Sequence, residues 1–131
     1  DVPLLIYQDR LNLLDREPQE NGVTQYCADH GIGFISFSPL AQGLLTDRYL
    51  NGIPADSRMA KEQYLKHSAL TPELLEQLKT WNAEAAERGE TLAEMALAWI
   101  LQQKGVTSVL VGASSVTQLE KNMKCVHAAK L

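Results

Sequence analysis

The chain has 131 residues, of which 45% are apolar and 21% are charged, and its formal net charge at pH 7 is −4. This composition is typical of one globular domain and excludes a disordered or fibrous chain. The acidic balance and the scattered basic residues argue against a nucleic-acid interface or an anionic membrane face.

The cysteine pattern bears on chemistry and on compartment. Cys27 and Cys125 lie far apart, and neither belongs to a CxxC motif or a cysteine–histidine zinc spacing. We therefore expect two free thiols in a reducing compartment. A disulfide is the less favoured alternative. The chain shows no signal peptide and no long uncharged apolar run, so the expected location is cytoplasmic. It begins with Asp1 rather than Met, which suggests a segment of a longer protein.

The first third of the sequence predicts a strand, a helix and a second strand. Residues 2–8, VPLLIYQ, form an apolar run typical of a short buried strand. A helix is predicted over residues 18–29, with Val23, Tyr26 and Cys27 on one face. GFISFS, at residues 33–38, is rich in aromatic and β-branched side chains and predicts the second strand.

A long loop and two helices follow. Residues 47–68 are rich in turn residues and predict a surface loop, a type of segment that is often functional. Thr71 before Pro72 is a strong helix start, and that helix should end near Arg88. Thr91 and a glutamate three residues later form a capping box for a second helix, apolar on all sides and therefore buried.

The last quarter predicts a third strand and a final helix. The strand is VTSVLV, at residues 106–111, and Ser115 with Gln118 forms another capping box for a helix reaching about residue 126. Alternating strands and helices indicate an α/β fold with a parallel sheet, as in doubly wound sheets and (β/α)8 barrels. A full barrel takes about 250 residues, so 131 residues would supply about half of one. Three strands would leave free edges, and we expect something to complete the sheet.

Both architectures bind ligands at the carboxyl ends of their strands. Small and polar residues follow all three predicted strands, and two of these exits lead into helix starts that favour anions. Arg48 and Arg58 in the long loop have guanidinium groups suited to phosphate oxygens. The residues therefore indicate one ligand with several phosphates. The alternatives are that both arginines are solvated surface residues and that Phe37, like Trp81 and Trp99, belongs to the core.

Two stretches, FSPLAQGLLTDRYLNGIPADSR and SVLVGASSVTQLEKN, resemble the aldo-keto reductase superfamily. The resemblance is to the branch that holds bacterial glyceraldehyde 3-phosphate-type reductases and potassium-channel β subunits, and it runs from IYQDRLNLLDR to the last helix. It implies that residues 1–131 form a single partial domain, the C-terminal part of a (β/α)8 TIM barrel with strands six to eight. It also implies NADP(H) lying extended across the barrel mouth.

The resemblance implies cofactor-binding roles for twelve residues. Gln8 would hydrogen-bond the nicotinamide carboxamide, and Phe37 would stack on the nicotinamide ring. The pyrophosphate would be surrounded by Ser38, Leu40, Gln42 and Gly43. Arg48 and Arg58 would lie near the phosphates. The adenosine end, with its 2′-phosphate, would be held by Gly112, Ser114, Gln118 and Asn122.

The sequence departs from the family pattern at several positions. Leu11 replaces a tyrosine after the first strand, Lys121 replaces an acidic residue before Asn122, and Asp56 stands where the channel-subunit branch has a tyrosine. The family's catalytic Asp, Tyr, Lys and His come from the first half of the barrel, so no residue here receives a catalytic role. No metal is implied.

The leading hypothesis is the NADP(H)-binding portion of an aldo-keto reductase that reduces aldehydes or ketones to alcohols, inactive as this chain alone. The expected partners are a carbonyl substrate in the complete barrel and either a complementing N-terminal half or another copy of the chain. Neither nucleic acid nor membrane is expected. The alternatives are a redox-sensing regulatory subunit of the channel-β type and an inactive, self-associating half-barrel. A phosphate-binding enzyme without nicotinamide is a further, less favoured alternative.

Overall fold

The computed structural model describes residues 3–46, 71–113 and 115–128, and their secondary structure alternates as the sequence predicts. The strands are β1 (Ile6–Arg10), β2 (Gly33–Phe37) and β3 (Ser108–Val109). The helices are α1 (Glu17–Glu20), α2 (Val23–Asp29), α3 (Pro72–Glu87), α4 (Leu92–Leu101) and α5 (Val116–Met123). Short 3-10 turns cover Ala41–Gly43 and Lys124–His127. The predicted loop at residues 47–68 lies outside the described residues.

The three strands form one parallel sheet in the order β1-β2-β3. In β1 and β2, Ile6 pairs with Gly33 and Arg10 pairs with Phe37, so the two strands end at the same level. Ile35 of β2 pairs with Ser108 of β3. The parallel arrangement confirms the predicted α/β class, and it places the three strand exits along one edge of the sheet.

Three helix starts are capped by the predicted side chains. The Oγ1 atoms of Thr71 and Thr91 accept hydrogen bonds of 3.1 Å from the N–H groups of Leu74 and Glu94. Ser115 Oγ accepts a 3.1 Å bond from the Gln118 N–H. These bonds satisfy backbone donors that have no partner inside the helix, which is why the three helices begin where the sequence predicts.

The core lies mainly around α4, as its all-round apolar sequence predicts. Leu97, Ala98 and Ile100 are fully buried, and α3 packs on this helix through Leu78 and Ala85. Trp81 and Trp99 are partly buried and pack against core residues, in agreement with the prediction that both belong to the core.

The first helical region differs from the prediction. A continuous helix over residues 18–29 is wrong: α1 and α2 are separated at Asn21 and Gly22, because Gly22 takes a left-handed backbone conformation with φ 87°. The expected apolar face of α2 is also incomplete. Cys27 is buried, but the Tyr26 side chain is 58% exposed.

The outer strands also differ from the prediction. The run at residues 2–8 does not form a buried strand: β1 begins only at Ile6, and Leu5 is 79% exposed. The third strand has two residues where six were predicted, and Leu110 and Val111 beyond it are exposed. Both strands lie at the edges of the described sheet, so one side of each has no neighbouring strand there to cover it.

Two structural absences hold for the described ranges alone. No helix among them is long and apolar enough to cross a membrane. In the same residues, no group of three His, Cys, Asp or Glu side chains could hold a metal ion.

Two glycines provide a test of the packing between α4 and the first helical region. Gly105 has φ 92°, and a Cβ added there would lie 2.5 Å from the Thr24 carbonyl oxygen. Gly89 has a similar φ of 74°, but an added Cβ would meet nothing within 4 Å. Gly89→Ala should therefore lower the free energy of unfolding by about 1–2 kcal/mol, the cost of the left-handed conformation. Gly105→Ala should lower it by about 3 kcal/mol or more, since a backbone clash is added. Urea denaturation measures both losses, and equal losses would contradict the close contact.

Candidate cofactor site

The exits of β2 and β3 enclose a cleft of about 570 Å³. One wall is the segment that follows β2, and the other is the segment between β3 and α5. Six of the residues predicted from the resemblance line it: Ser38, Leu40, Gln42, Gly43, Gly112 and Gln118. The remaining lining residues are Pro39, Thr46, Leu110, Val111 and Ala113. The structure thus brings together residues that are as much as 80 positions apart in the sequence.

The turn after β2 has an unusual backbone. Ser38, Ala41 and Gln42 are not glycines, yet their φ angles are 51°, 49° and 58°. Such conformations cost about 1–3 kcal/mol each and persist only where the surrounding structure imposes them. Strained backbone of this kind clusters at ligand-binding sites. The segment is therefore a candidate site by its conformation, independently of any motif.

Hydrogen bonds within the turn use several of its backbone groups. The Ala41 N–H donates to the Ser38 carbonyl at 3.1 Å, and the Gly43 N–H donates to the Leu40 carbonyl at 3.0 Å. These two amides are thus engaged inside the protein. Gly43 itself contributes a left-handed conformation, with φ 98°.

Two buried side-chain atoms have no hydrogen-bond partner among the described residues: Gln42 Oε1, on a residue that lines the cleft, and Asn122 Nδ2. The Asn122 side chain is 5% exposed, and it lies one helical turn beyond Gln118 on α5. Buried polar atoms are nearly always paired, so each unpaired one needs an explanation. An acceptor at Gln42 and a donor at Asn122 fit a polar ligand lying along this side of the molecule.

Gly112 also fits a ligand. A Cβ added there would meet no atom of the described residues within 4 Å, and its φ is outside the left-handed region. Neither packing nor backbone conformation therefore requires glycine at this position. Because Gly112 lines the cleft, its missing side chain widens the space available to a ligand.

Gln8 and Phe37 are not among the residues that line the cleft. Gln8 is exposed on β1, opposite Ile35. Phe37 is half-buried at the end of β2, and the Arg10 guanidinium lies 5.6 Å from the centroid of its ring. No role was predicted for Arg10 from the sequence. Arg48, Arg58 and Ser114 lie outside the described residues, and their predicted roles remain predictions.

Tyr7 and the two cysteines are not activated for acid or nucleophilic chemistry. The Tyr7 O–H donates to Asp9 Oδ2 at 2.8 Å, and this hydrogen bond raises the pKa of Tyr7. Cys27 and Cys125 are free and buried, as predicted, and burial raises the pKa of both thiols. A raised pKa reduces the thiolate fraction and hence the reactivity, so these cysteines behave as structural residues.

Sequence reasoning gave no role to two buried polar side chains that connect the segments after β1 and β2. Asn12 Nδ2 donates to the Ser38 carbonyl at 2.9 Å, and Ser36 Oγ donates to the Leu11 carbonyl at 2.7 Å. The available signal was a polar residue inside each of the apolar runs LNLL and GFISF, because a polar side chain in such a run must find a buried partner.

The chain is similar in sequence to known proteins. The sequence model of the aldo/keto reductase family matches residues 1–131. The L-glyceraldehyde 3-phosphate reductase of Escherichia coli (strain K12) is 47% identical over 131 residues, covering 96% of this chain and 38% of that protein. A probable voltage-gated potassium channel subunit beta of Arabidopsis thaliana is 37% identical over 130 residues, covering 97% of this chain and 40% of that protein.

A solved structure shows the same fold. A thermostable aldo-keto reductase, crystallised with the inhibitor epalrestat, superimposes with a TM-score of 0.64 at 22% identity, over 98% of this chain and 36% of that one. The chain thus spans about two fifths of the length of the relatives it matches. By the family model and these relatives, the chain belongs to the aldo/keto reductase family.

Proposed function

We propose that the chain is the NADP(H)-binding portion of an aldo-keto reductase that reduces aldehydes or ketones to alcohols. In this proposal its sheet supplies strands six to eight of a (β/α)8 barrel in the cytoplasm. The observation that carries it is the cleft between β2 and β3, which is lined by a glycine without a packing role and by Gln42, whose buried Oε1 has no hydrogen-bond partner among the described residues. Family membership supplies the chemical class.

The residues around the cleft suggest how a dinucleotide would be held. The turn from Ser38 to Gly43 would lie against the pyrophosphate. Gly112 would leave room for the ligand to approach β3, and Asn122 Nδ2 would donate to the adenosine end. Arg48 and Arg58 would neutralise phosphate charge, and Ser114 would lie beside the adenosine end.

Gln8 and Phe37 would position the nicotinamide, the former at its carboxamide and the latter against its ring. When bound, the cofactor supplies the hydride for carbonyl reduction. Since Arg10 lies over the Phe37 ring, a nicotinamide stacked on that same face must displace it. At an exposed site this costs about 0.5–1 kcal/mol.

Carbonyl reduction also needs a general acid that protonates the carbonyl oxygen. Tyr7 is poorly suited to this, since its hydroxyl is bonded to Asp9 and its pKa is raised. We propose that the catalytic acid and its partners come from another part of the barrel, and that this chain alone is inactive.

The plant relative favours a second candidate function, a regulatory subunit that retains NADP(H) as a redox sensor. This relative is a probable potassium-channel β subunit at 37% identity. Both functions use the same cleft. Steady-state turnover of 4-nitrobenzaldehyde by the complete barrel would favour the reductase, and cofactor retention with very slow turnover would favour the sensor.

The free edge of β1 indicates what would complete the fold. Beside it lies an apolar groove of about 260 Å³, lined by Leu4, Tyr7, Val23, Tyr26, Cys27 and Ile32. We propose that the βα unit preceding β1 in the barrel covers this groove. A parallel strand beside β1 would also pair its free backbone groups.

The isolated 131-residue chain should therefore be inactive and self-associated. Its exposed apolar edge, with Leu5 79% and Ile6 60% exposed, favours association with other copies. Sedimentation equilibrium should give a mass well above 14.5 kDa. A clean monomer would contradict the proposed covering of the groove, and NADPH-dependent reduction of 4-nitrobenzaldehyde by the isolated chain would contradict its inactivity.

Gly112→Ala tests the cofactor cleft directly. In the complete barrel, the new methyl group should lower NADPH affinity about tenfold by occupying ligand space. The midpoint of thermal unfolding without cofactor should hardly change, because the added Cβ meets nothing within 4 Å among the residues that the structure describes. Fluorescence titration with NADPH gives the affinity, and an unchanged affinity would contradict the site. Gly89→Ala, at a residue that does not line the cleft, is the control: it should lower stability and leave NADPH affinity unchanged.

Arg10 provides a test of the nicotinamide position. The oxidised ring is cationic and the reduced ring is neutral, so a nearby guanidinium should favour NADPH over NADP⁺. A guanidinium displaced from Phe37 to the edge of the nicotinamide, about 6 Å away in water, would interact with a unit charge by about 0.7 kcal/mol, so Arg10→Gln should reduce this preference about threefold. Arg10→Lys keeps the charge and should preserve it. Calorimetric titration with both cofactors measures the ratio, and a ratio unchanged in Arg10→Gln would place the nicotinamide elsewhere.

A further inference from the structure

The segment that follows β1 is connected to the strained turn after β2 through one buried side chain. Asn12 is 1% exposed, and its Nδ2 donates to the Ser38 carbonyl at 2.9 Å across 26 positions of sequence. Asn12 is not among the residues that line the cleft. Among the described residues, its side chain meets the wall of the cleft at the backbone of the turn.

The Asn12 side chain is itself held at its other end. Its Oδ1 accepts hydrogen bonds of 2.8 Å from the N–H groups of Leu14 and Asp15. Its backbone N–H donates to the Asp15 carbonyl at 2.9 Å. These three bonds close a compact turn that fixes the plane of the Asn12 side-chain amide. The direction of the Nδ2 donor is therefore set independently of its contact with Ser38.

The Ser38 carbonyl is where the two segments meet. It accepts from Asn12 Nδ2 and, at 3.1 Å, from the Ala41 N–H that closes the turn. Ser38 has φ 51°, and the two residues with similarly strained angles, Ala41 and Gln42, follow within four positions. Because the Ser38 carbonyl accepts two hydrogen bonds, the first peptide of the turn is held in place. This in turn fixes the backbone of the residues that follow and form one wall of the cleft.

We propose that Asn12 is a positioning residue: it holds the Ser38–Gly43 turn in its ligand-ready conformation and so raises the affinity of the cleft for NADP(H). The inference rests on the proposed cofactor, since it concerns the same cleft. Without Asn12 the strained turn relaxes, and binding must then restore the conformation at the expense of affinity.

Ser36 provides a matched control. It is fully buried, and its Oγ donates to the Leu11 carbonyl at 2.7 Å, so it joins the same two segments. This bond leaves from β2 itself and does not involve the turn. Ser36→Ala should lower stability while leaving cofactor affinity within about twofold of the unaltered protein.

Asn12→Asp removes the contact selectively. An aspartate keeps an oxygen for the Leu14 and Asp15 N–H groups, but it replaces the donor to Ser38 with an oxygen that repels the carbonyl. In the complete barrel, NADPH affinity should fall about tenfold, and Asn12→Ala should show a loss at least as large. The new negative charge of aspartate could also repel phosphate. A loss that persists in 0.5 M NaCl separates turn relaxation from this repulsion.

If Asn12→Asp and Asn12→Ala bind NADPH as the unaltered protein does, the inference is overturned. It is also overturned if the loss of NADPH affinity per unit of lost stability is the same in Ser36→Ala as in the Asn12 variants. In that case the effect would be general destabilisation.

A second measurement needs no variant and no cofactor. The Ala41 amide of the unaltered complete barrel should be protected from hydrogen exchange before NADPH is added, because the turn is already formed. Rapid exchange that slows only with NADPH would overturn the inference. If the unaltered barrel binds no NADPH at all, the proposed function fails, and the exchange result still decides whether the turn is preformed.

Discussion

The parallel pairing of β1 with β2 is the constraint on which the rest of the site depends. Its register sets Arg10 beside Phe37, so both strands end at one level and their exits lie next to each other. Only then can Asn12, two positions beyond β1, reach the carbonyl of Ser38, one position beyond β2. A shift of one residue would turn every side chain of β2 to the opposite face, moving the fully buried Phe34 and Ser36 out of their places.

The strained turn after β2 is held from two sides. Below it, Asn12 fixes the Ser38 carbonyl. On the side of the core, Leu40 packs against buried residues of two apolar clusters, and Leu44 and Leu45 just beyond are buried. Three left-handed residues at about 1–3 kcal/mol each are a large cost for a domain whose net stability is about 5–15 kcal/mol. Leu40 thus serves as an anchor of the turn as well as a lining residue of the cleft.

Local features of this fold could be predicted from the sequence, and features that depend on distant partners could not. The caps at Thr71, Thr91 and Ser115 follow from short-range chemistry, and the burial of α4 follows from its composition. The left-handed angles of Ser38 and Gln42 could not be seen, because neither residue is a glycine. The Asn12 contact joins positions 26 residues apart, and no spacing rule indicates it. By contrast, Asn21-Gly22 is a turn dipeptide, a local signal of the break that the prediction of one helix over residues 18–29 does not use.

The positions of the cleft residues were a different kind of prediction. They came from motif resemblance, and the structure brings six of them together, although their chemical roles rest on the proposed cofactor. The exposure of the strands at the sheet edges was not predicted for a different reason. An apolar run such as VPLLIYQ predicts a buried strand, but it does not indicate which other element covers that strand. Within the described residues, β1 is covered on one side by β2, and Leu4, Leu5 and Ile6 remain exposed.

The cleft is formed within this chain, whereas the uncovered apolar surface needs another element. The cleft is formed by two neighbouring exits, those of β2 and β3, with Asn12 supporting it from the end of β1, and all three belong to this chain. The uncovered apolar surface lies instead along β1 and α2, in the groove that includes Leu4 and Tyr26. Under the proposed function, an element that covers this groove would stabilise β1, and the segment after β1 that carries Asn12 would extend this support to the cleft. Barrel completion and cofactor affinity would therefore be coupled through one buried side chain, although they concern different surfaces.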